Sequence, residues 1–497
     1  MQEKNKPKSS NSKVKFEVRE VGRVKSVREF IVLADNLPSC INGQMVEFQH
    51  GSRGLVMGFR GDDVQILTLG AKTSIRSGDE VYSKGRGLAL PAGEQFLSRI
   101  VNSLCEPVDG LGPIEAQGLY PVFREAPGVM ERIPVDQTLE TGTMILDATI
   151  PIAKGQRQLI IGDRLTGKTS VAMDAILNQQ GKDVICIYAC IGKTYYNLVK
   201  ILSLLQERKA MPYSIVVSGI ASASAAEQYL APYTACMLGE YFMNQGRDVL
   251  VIFDDLTKHA WIYRQICLLL ERAPGREAYP GDIFYIHSQL MERAGYLSPK
   301  LKGGSMTFFP LVEILQGDVT GYISTNLISM TDGQIYFSSA LFNKGSKPAI
   351  DLGLSVSRIG NKAQWPAMRG LSKSLRLDYL QYLDLLKMTQ LRATGLSKEA
   401  EARLKRGEVI SRLLIQDKNQ PVDLVEQVVY LYTLDRGLLD NFSAAEIERF
   451  KKEFYTKLKN WCPEFIEQIR KTREFPDTLK PKLEESLKRF FKEMVVK

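Results

Sequence analysis

Residues 159–170 read LIIGDRLTGKTS, and this stretch decides the fold. An apolar run stops at Gly162, and Gly167, Lys168 and Thr169 then complete the pattern GxxxxGK[ST]. QLII before it reads as a strand and SVAMDAIL after it as a helix, the setting in which the motif binds phosphate. The glycines let the backbone N–H groups of Gly162, Asp163, Arg164, Leu165, Thr166 and Gly167 curl around oxyanions. The helix N-terminus that opens at Lys168, Thr169 and Ser170 adds its positive end. In that arrangement Lys168 reaches the β and γ phosphates of ATP or ADP, and Thr169 offers a hydroxyl to Mg²⁺.

A second element serves the metal. RDVLVIFDD, residues 247–255, is an apolar strand that ends in two acids. Asp254 is placed to hold the Mg²⁺ shell, while Asp255 suits the cap of the next segment. Hydrolysis also needs a group to orient the attacking water. In hexameric P-loop ATPases that group is a glutamate just after the next strand. Here that strand is DVICIYAC, and the residue after Gly192 is Lys193. An ammonium does not accept a proton from water at neutral pH. The site is thus expected to bind nucleotide without the usual base, the alternative being an acid displaced to elsewhere in the sequence.

Around this core the 497 residues show three textures. Residues 16–92 alternate polar and apolar positions between Gly, Asn and Asp turns, as in KFEVREVGRVKSV and DDVQILTLG, which predicts a small β-barrel. Residues 93–365 set dense apolar runs between helical stretches. RQLIIG, DVICIYAC, YSIVVSG, DVLVIFDD and DIFYIHS read as buried parallel strands, and SVAMDAILNQQ and TYYNLVKILSLLQER as helices. The expected class is α/β, a RecA-like, mostly parallel sheet, with an N-terminal β-barrel and a C-terminal helical domain. Residues 366–497 carry helical periodicity throughout. Ser443 and Glu446 fit a capping box, and the basic amphipathic end is expected to pack on its own bundle rather than on a membrane.

Composition narrows the function. Hydrophobic content of 44% and charged content of 24% suit a globular protein. No apolar run reaches 18 residues, so no membrane span is expected. Residues 1–15 read as a disordered basic arm with no secretory h-region. The net charge of +9 is concentrated at the two ends. It reads as solvated tails and helix faces, without the interleaved aromatics of a nucleic-acid surface. The seven cysteines form no CxxC pair and read as small buried thiols. The three histidines, His50, His259 and His287, are too scattered for a metal site.

Further runs give these motifs a family. NGQMVEF, GDRLTGKTS, AAEQYLAPYTACMLGEYF, the stretch from DVLVIFDDLTKHAW to SQLMERA, the stretch from GGSMTFFP to DGQIYF, and PAIDLGLSVSRIGNKAQ occur in order. Together they resemble the α subunits of F-type rotary ATP synthases over about residues 16–440. The resemblance implies an alternating hexamer with β subunits around a central γ shaft, a peripheral stalk, and a non-catalytic site for Mg-nucleotide. It implies a link to a proton- or sodium-translocating membrane sector, reached from the cytoplasmic face of the plasma membrane. It also implies that Arg358, in GLSVSRIG, acts as an arginine finger on the neighbouring β site, an effect worth about 10³–10⁵ in rate. Gln416 matches a glutamine near the adenine, and Lys418 stands where the family has a second glutamine. APGREAYPGD, residues 273–282, resembles the loop that faces the shaft. Leu165 and Lys193 also replace family glutamines, and a short basic arm stands where the family has a stalk-docking helix. These departures resemble a divergent branch such as the N-type synthases.

Two other readings differ in chemistry. A self-sufficient hexameric P-loop ATPase of a secretion or export apparatus carries the glutamate that Lys193 replaces. A Rho-like RNA-tracking helicase needs a barrel with aromatic stacking faces, and this barrel is poor in aromatics.

Overall fold

The computed structural model describes residues 19–70, 75–391 and 397–495, so the expected arm over 1–15 lies outside the described residues. Two compact units divide between Ala89 and Leu90; the sequence expectation put this boundary at 92/93.

The first unit is a closed barrel. Its strands are β1 (Glu20–Arg28), β2 (Ile31–Asp35), β3 (Gln44–Phe48), β4 (Arg53–Arg60), β5 (Asp63–Leu69) and β6 (Glu80–Gly87), joined in the order β1-β2-β5-β4-β3-β6. Alternation turns Val24, Val32, Val46, Phe48, Val56, Ile66 and Val81 into one interior cluster. Closure leaves no unpaired edge.

The second unit is built on a mostly parallel sheet. Its strands are β7 (Ile100–Asn102), β8 (Leu159–Gly162), β9 (Val184–Ile191), β10 (Ser214–Gly219), β11 (Asp248–Asp254), β12 (Gly295–Tyr296), β13 (Ser305–Glu313), β14 (Gly333–Phe337) and β15 (Val356–Ser357). The order across the sheet is β15-β14-β8-β13-β11-β9-β10-β7, with β12 antiparallel on β13. Every residue of β9 is buried, because helices cover both faces. The helices that flank the phosphate motif are α1 (Lys168–Leu177), α2 (Tyr195–Glu207), α3 (Ala225–Met243) and α4 (Leu256–Leu269).

One expected strand is a helix. DIFYIHS opens the helix Ile283–Met291, in which Ile283, His287, Leu290 and Met291 are buried while Phe284 and Tyr285 are exposed. The buried set recurs at three- and four-residue steps, and a run of seven residues was too short to tell that period from a strand. Two strands that the expectation left out, β13 and β14, complete the sheet on either side of β8.

The helical region and the nucleotide core, expected as separate domains meeting at 365/366, share one hydrophobic core within the second unit. Leu146, Trp365, Met368, Leu413, Val428 and Phe450 all belong to it. A buried carboxylate pins the junction. Asp147 accepts from Thr141 N–H (3.0 Å), Thr141 Oγ1 (2.7 Å), Gly142 N–H (3.0 Å) and Gln427 Nε2 (2.8 Å). The capping box forms at Ser443 and Glu446. The terminal helix Lys480–Val495 buries Leu483, Leu487, Phe490 and Met494, so its apolar face is spent on its own bundle. No helix among the described residues is long and apolar enough to cross a membrane.

Candidate functional site

In an open α/β sheet, ligands gather beyond the carboxyl ends of the strands. Register brings such ends together here. Gly162 is level with Glu313 and with Phe337, and Cys190 with Asp254. The phosphate motif, Lys193, the acid pair and Glu313 therefore share one rim.

The loop is closed by its own polar groups. Thr166 Oγ1 donates to the Asp163 carbonyl at 2.8 Å. The Asp163 carboxylate accepts from Gly317 N–H at 2.9 Å and from Ser339 Oγ at 2.5 Å. Gly162 packs so tightly on Phe337 that any side chain would collide with it, and Gly167 holds a φ of +101° that favours glycine. Gly167 caps α1, whose first-turn N–H groups lack intrahelical acceptors. Leu165 sits at the exposed tip with a φ of +61°. Arg164 forms an ion pair with Glu313.

Lys168 Nζ donates to the carbonyls of Gly162 (2.6 Å) and Asp163 (2.5 Å). Burial lowers its pKa to about 8, with Glu313 opposing and Lys193 assisting. A cation held in a curl of glycine and helix N-terminus is a fit receptor for phosphate oxygens.

Thr169 and Asp254 meet: Thr169 Oγ1 donates to Asp254 Oδ2 at 2.8 Å. The buried Tyr188 hydroxyl donates to the same oxygen at 2.8 Å. Lys193 Nζ lies 2.9 Å from Asp254 Oδ1 and 2.9 Å from Asp255 Oδ2. Apart from that ammonium, neither of those buried oxygens has a partner among the described residues. Burial alone would lower the pKa of Lys193, but the two carboxylates outweigh it and hold the ammonium charged. Gly192, at φ +61°, makes the turn that delivers Lys193, and a side chain there would strike Lys258. Asp255 also caps α4 through Lys258 N–H at 2.8 Å.

Gln416 is spent on backbone. Its amide bonds Met144 N–H (3.1 Å) and the carbonyls of Gly142 (2.8 Å) and Gln420 (2.8 Å). Lys418 is exposed, one residue before Asn419, whose backbone N–H serves Asp174 on α1. Arg358 is not brought to the loop by any contact. It is exposed just beyond the edge strand β15, bonded through its backbone N–H to the Asp332 carbonyl at 2.8 Å, and in no ion pair among the described residues. Ser170 lies in the first turn of α1.

Sequence reasoning missed Glu313. It is an acid at the end of an apolar strand, SMTFFPLVE, the same signal that singled out Asp254. Glu313 is thus a further acid at the rim, tied to Arg164. Among the described residues no cluster of three or more His, Cys, Asp or Glu could hold a metal ion.

Comparison with known proteins covers most of the sequence. Residues 17–85 match the beta-barrel domain of the ATP synthase alpha/beta family, and residues 142–357 match its nucleotide-binding domain. Residues 364–490 match the family's C-terminal domain. A protein of Clostridium botulinum (strain Eklund 17B / Type B) named ATP synthase subunit alpha is 44% identical over 471 residues, covering 95% of this sequence and 93% of the relative. A protein of the same name from Petrotoga mobilis is 44% identical over 478 residues, covering 95% of both.

Proposed function

Since the chain belongs to the ATP synthase alpha/beta family, with alpha subunits as its relatives, we propose that it is the non-catalytic, nucleotide-binding member of a rotary ATP synthase ring. In this reading it alternates with β subunits in a hexamer around a γ shaft. The ring is coupled to a proton- or sodium-translocating sector, on the cytoplasmic face of the plasma membrane, with no nucleic-acid partner.

The observation that carries this reading is the Lys193 ammonium held by Asp254 and Asp255. At the position where a water-orienting carboxylate is required there is a buried cation that can accept no proton. The remaining residues divide the work. Residues 162–170 bind the phosphates of ATP or ADP, with Lys168 as the fixed charge. Gln416 and Lys418 lie on the segment that reaches α1 through the Asn419 backbone N–H, and the base would rest there. Arg358, exposed and without an internal ion pair among the described residues, is available to a neighbouring subunit. There it would neutralise charge that develops on a phosphoryl group bound by β.

Mg²⁺ fits this donor set only in part. Thr169 supplies a hard oxygen, but both oxygens of Asp254 are already engaged, one by Thr169 and Tyr188 and the other by Lys193. A metal that depends on that carboxylate does not fit while Lys193 holds it.

The competing reading, a self-sufficient export-type ATPase, would require Glu313 as its base, and the ion pair with Arg164 speaks against that role. Native mass spectrometry of the assembled complex tests the proposal. Copies of this polypeptide alternating with a second type of subunit, each carrying nucleotide, are expected. A ring made of this polypeptide alone would contradict it.

A further inference from the structure

Mg²⁺ usually joins a P-loop hydroxyl to a strand-end carboxylate and offsets the charge that nucleotide phosphates bring to it. In this protein the strand-end acids already have a cation. Lys193 Nζ is 2.9 Å from one oxygen of Asp254 and 2.9 Å from one of Asp255. The Asp254 and Asp255 side chains are 3% and 1% exposed, so without Lys193 two adjacent carboxylates would stand desolvated and unneutralised. Removing one partner from such a buried cluster leaves bare charge, which gives the ammonium a strong hold on its place. The backbone fixes it there as well. Gly192 N–H donates to the Gly219 carbonyl at 2.7 Å, and the Lys193 carbonyl accepts from Ala221 N–H at 2.8 Å.

We propose that Lys193 is a built-in cation that does the charge-neutralising work of the metal, so that this protein binds ATP or ADP with little dependence on Mg²⁺. The inference rests on the reading of this rim as a nucleotide site. Lys193 is spent on the acid pair and Arg164 on Glu313, which leaves Lys168 and the N–H groups of the loop to meet the phosphates directly. A divalent ion approaching Asp254 must displace the ammonium or share the carboxylate with it, and like charges at that range repel. Thr169 remains a hydrogen-bonding residue, donating to Asp254 rather than serving as one ligand of a metal shell.

Equilibrium binding of a fluorescent ATP analogue to the full-length protein, in excess Mg²⁺ and in excess EDTA, is the test. Wild-type affinity is expected to differ by less than about threefold between the two buffers. Lys193→Gln, which frees the acid pair, is expected to bind at least about tenfold tighter with Mg²⁺ than without it. Because that variant could unfold, electron paramagnetic resonance of Mn²⁺ added with ATP to the wild type gives a second reading, and no protein-bound Mn²⁺ beyond the free nucleotide complex is expected. Wild-type binding that collapses in EDTA, or Mn²⁺ immobilised on the wild-type protein, overturns the inference and leaves the nucleotide site standing. Absence of binding in both buffers overturns the nucleotide-site reading itself.

Discussion

The ammonium of Lys193 and the carboxylate of Asp254 form a 2.9 Å ion pair at the carboxyl end of the sheet, where β9 and β11 run side by side. In the proposed function this pair separates holding a triphosphate from splitting it, because a cation committed to two acids stands beside the phosphate loop where that reading requires a carboxylate to aim water.

Lys168 is the fixed charge of the loop. Lys168→Ala is expected to weaken ATP binding by this subunit about 10- to 100-fold, the worth of one charge-assisted hydrogen bond at about 1.5–3 kcal/mol. Turnover by the assembled ring should fall less than binding does. Filter binding on the isolated subunit beside steady-state hydrolysis by the ring measures both, and an equal collapse of the two would mark this site as catalytic.

Arg358 makes no internal ion pair among the described residues, so its removal costs the fold little. Arg358→Ala is expected to leave the melting temperature and nucleotide binding of this subunit unchanged. It should cut multisite turnover of the ring by about a thousandfold or more, the range seen for arginine fingers. Unimpaired turnover in that variant refutes the assignment.

Asp174 on α1 is buried with Oδ1 unpartnered among the described residues, and burial raises its pKa from 3.8 to about 7, with the Asn419 N–H opposing. The folded state therefore binds this proton more tightly than the unfolded state. The stability it contributes is complete below about pH 4 and is lost as pH rises through about 7. Asp174→Asn removes that dependence and is expected to raise the melting temperature at pH 8 more than at pH 5. Thermal scans at the two values check it, and an equal shift at both would contradict it.

Arg293 and Glu240 form a two-pronged pair at 2.7 Å for each contact, with side chains 1% and 2% exposed, and Arg293 Nη1 also donates to the Val122 carbonyl at 2.9 Å. Glu240→Gln leaves a buried guanidinium uncompensated and is expected to cost about 3–5 kcal/mol. A lowered urea midpoint would show it, and an unchanged midpoint would not fit.

Much of this was legible in the sequence because period and chemistry coincide there. The alternating runs of residues 20–87 close as a barrel, and GxxxxGK[ST] stands between a strand and a helix as its pattern requires. DIFYIHS misled because seven apolar-rich residues fit either period, and its burial at every third or fourth position appears only once α3 and the helix Tyr322–Met330 pack on it. Glu313 was missed because its strand lies over 140 residues from the loop and only the parallel register places it level with Gly162. The engagement of Gln416 with residues 142–144, and of Lys193 with both acids, likewise depends on long-range packing that no local pattern encodes.

The most direct measurement is steady-state ATP hydrolysis by the isolated full-length protein, on a sample shown to bind ATP. Binding without turnover above the uncatalysed rate is the predicted result. Brisk hydrolysis by this polypeptide alone, abolished by Glu313→Gln, would contradict it.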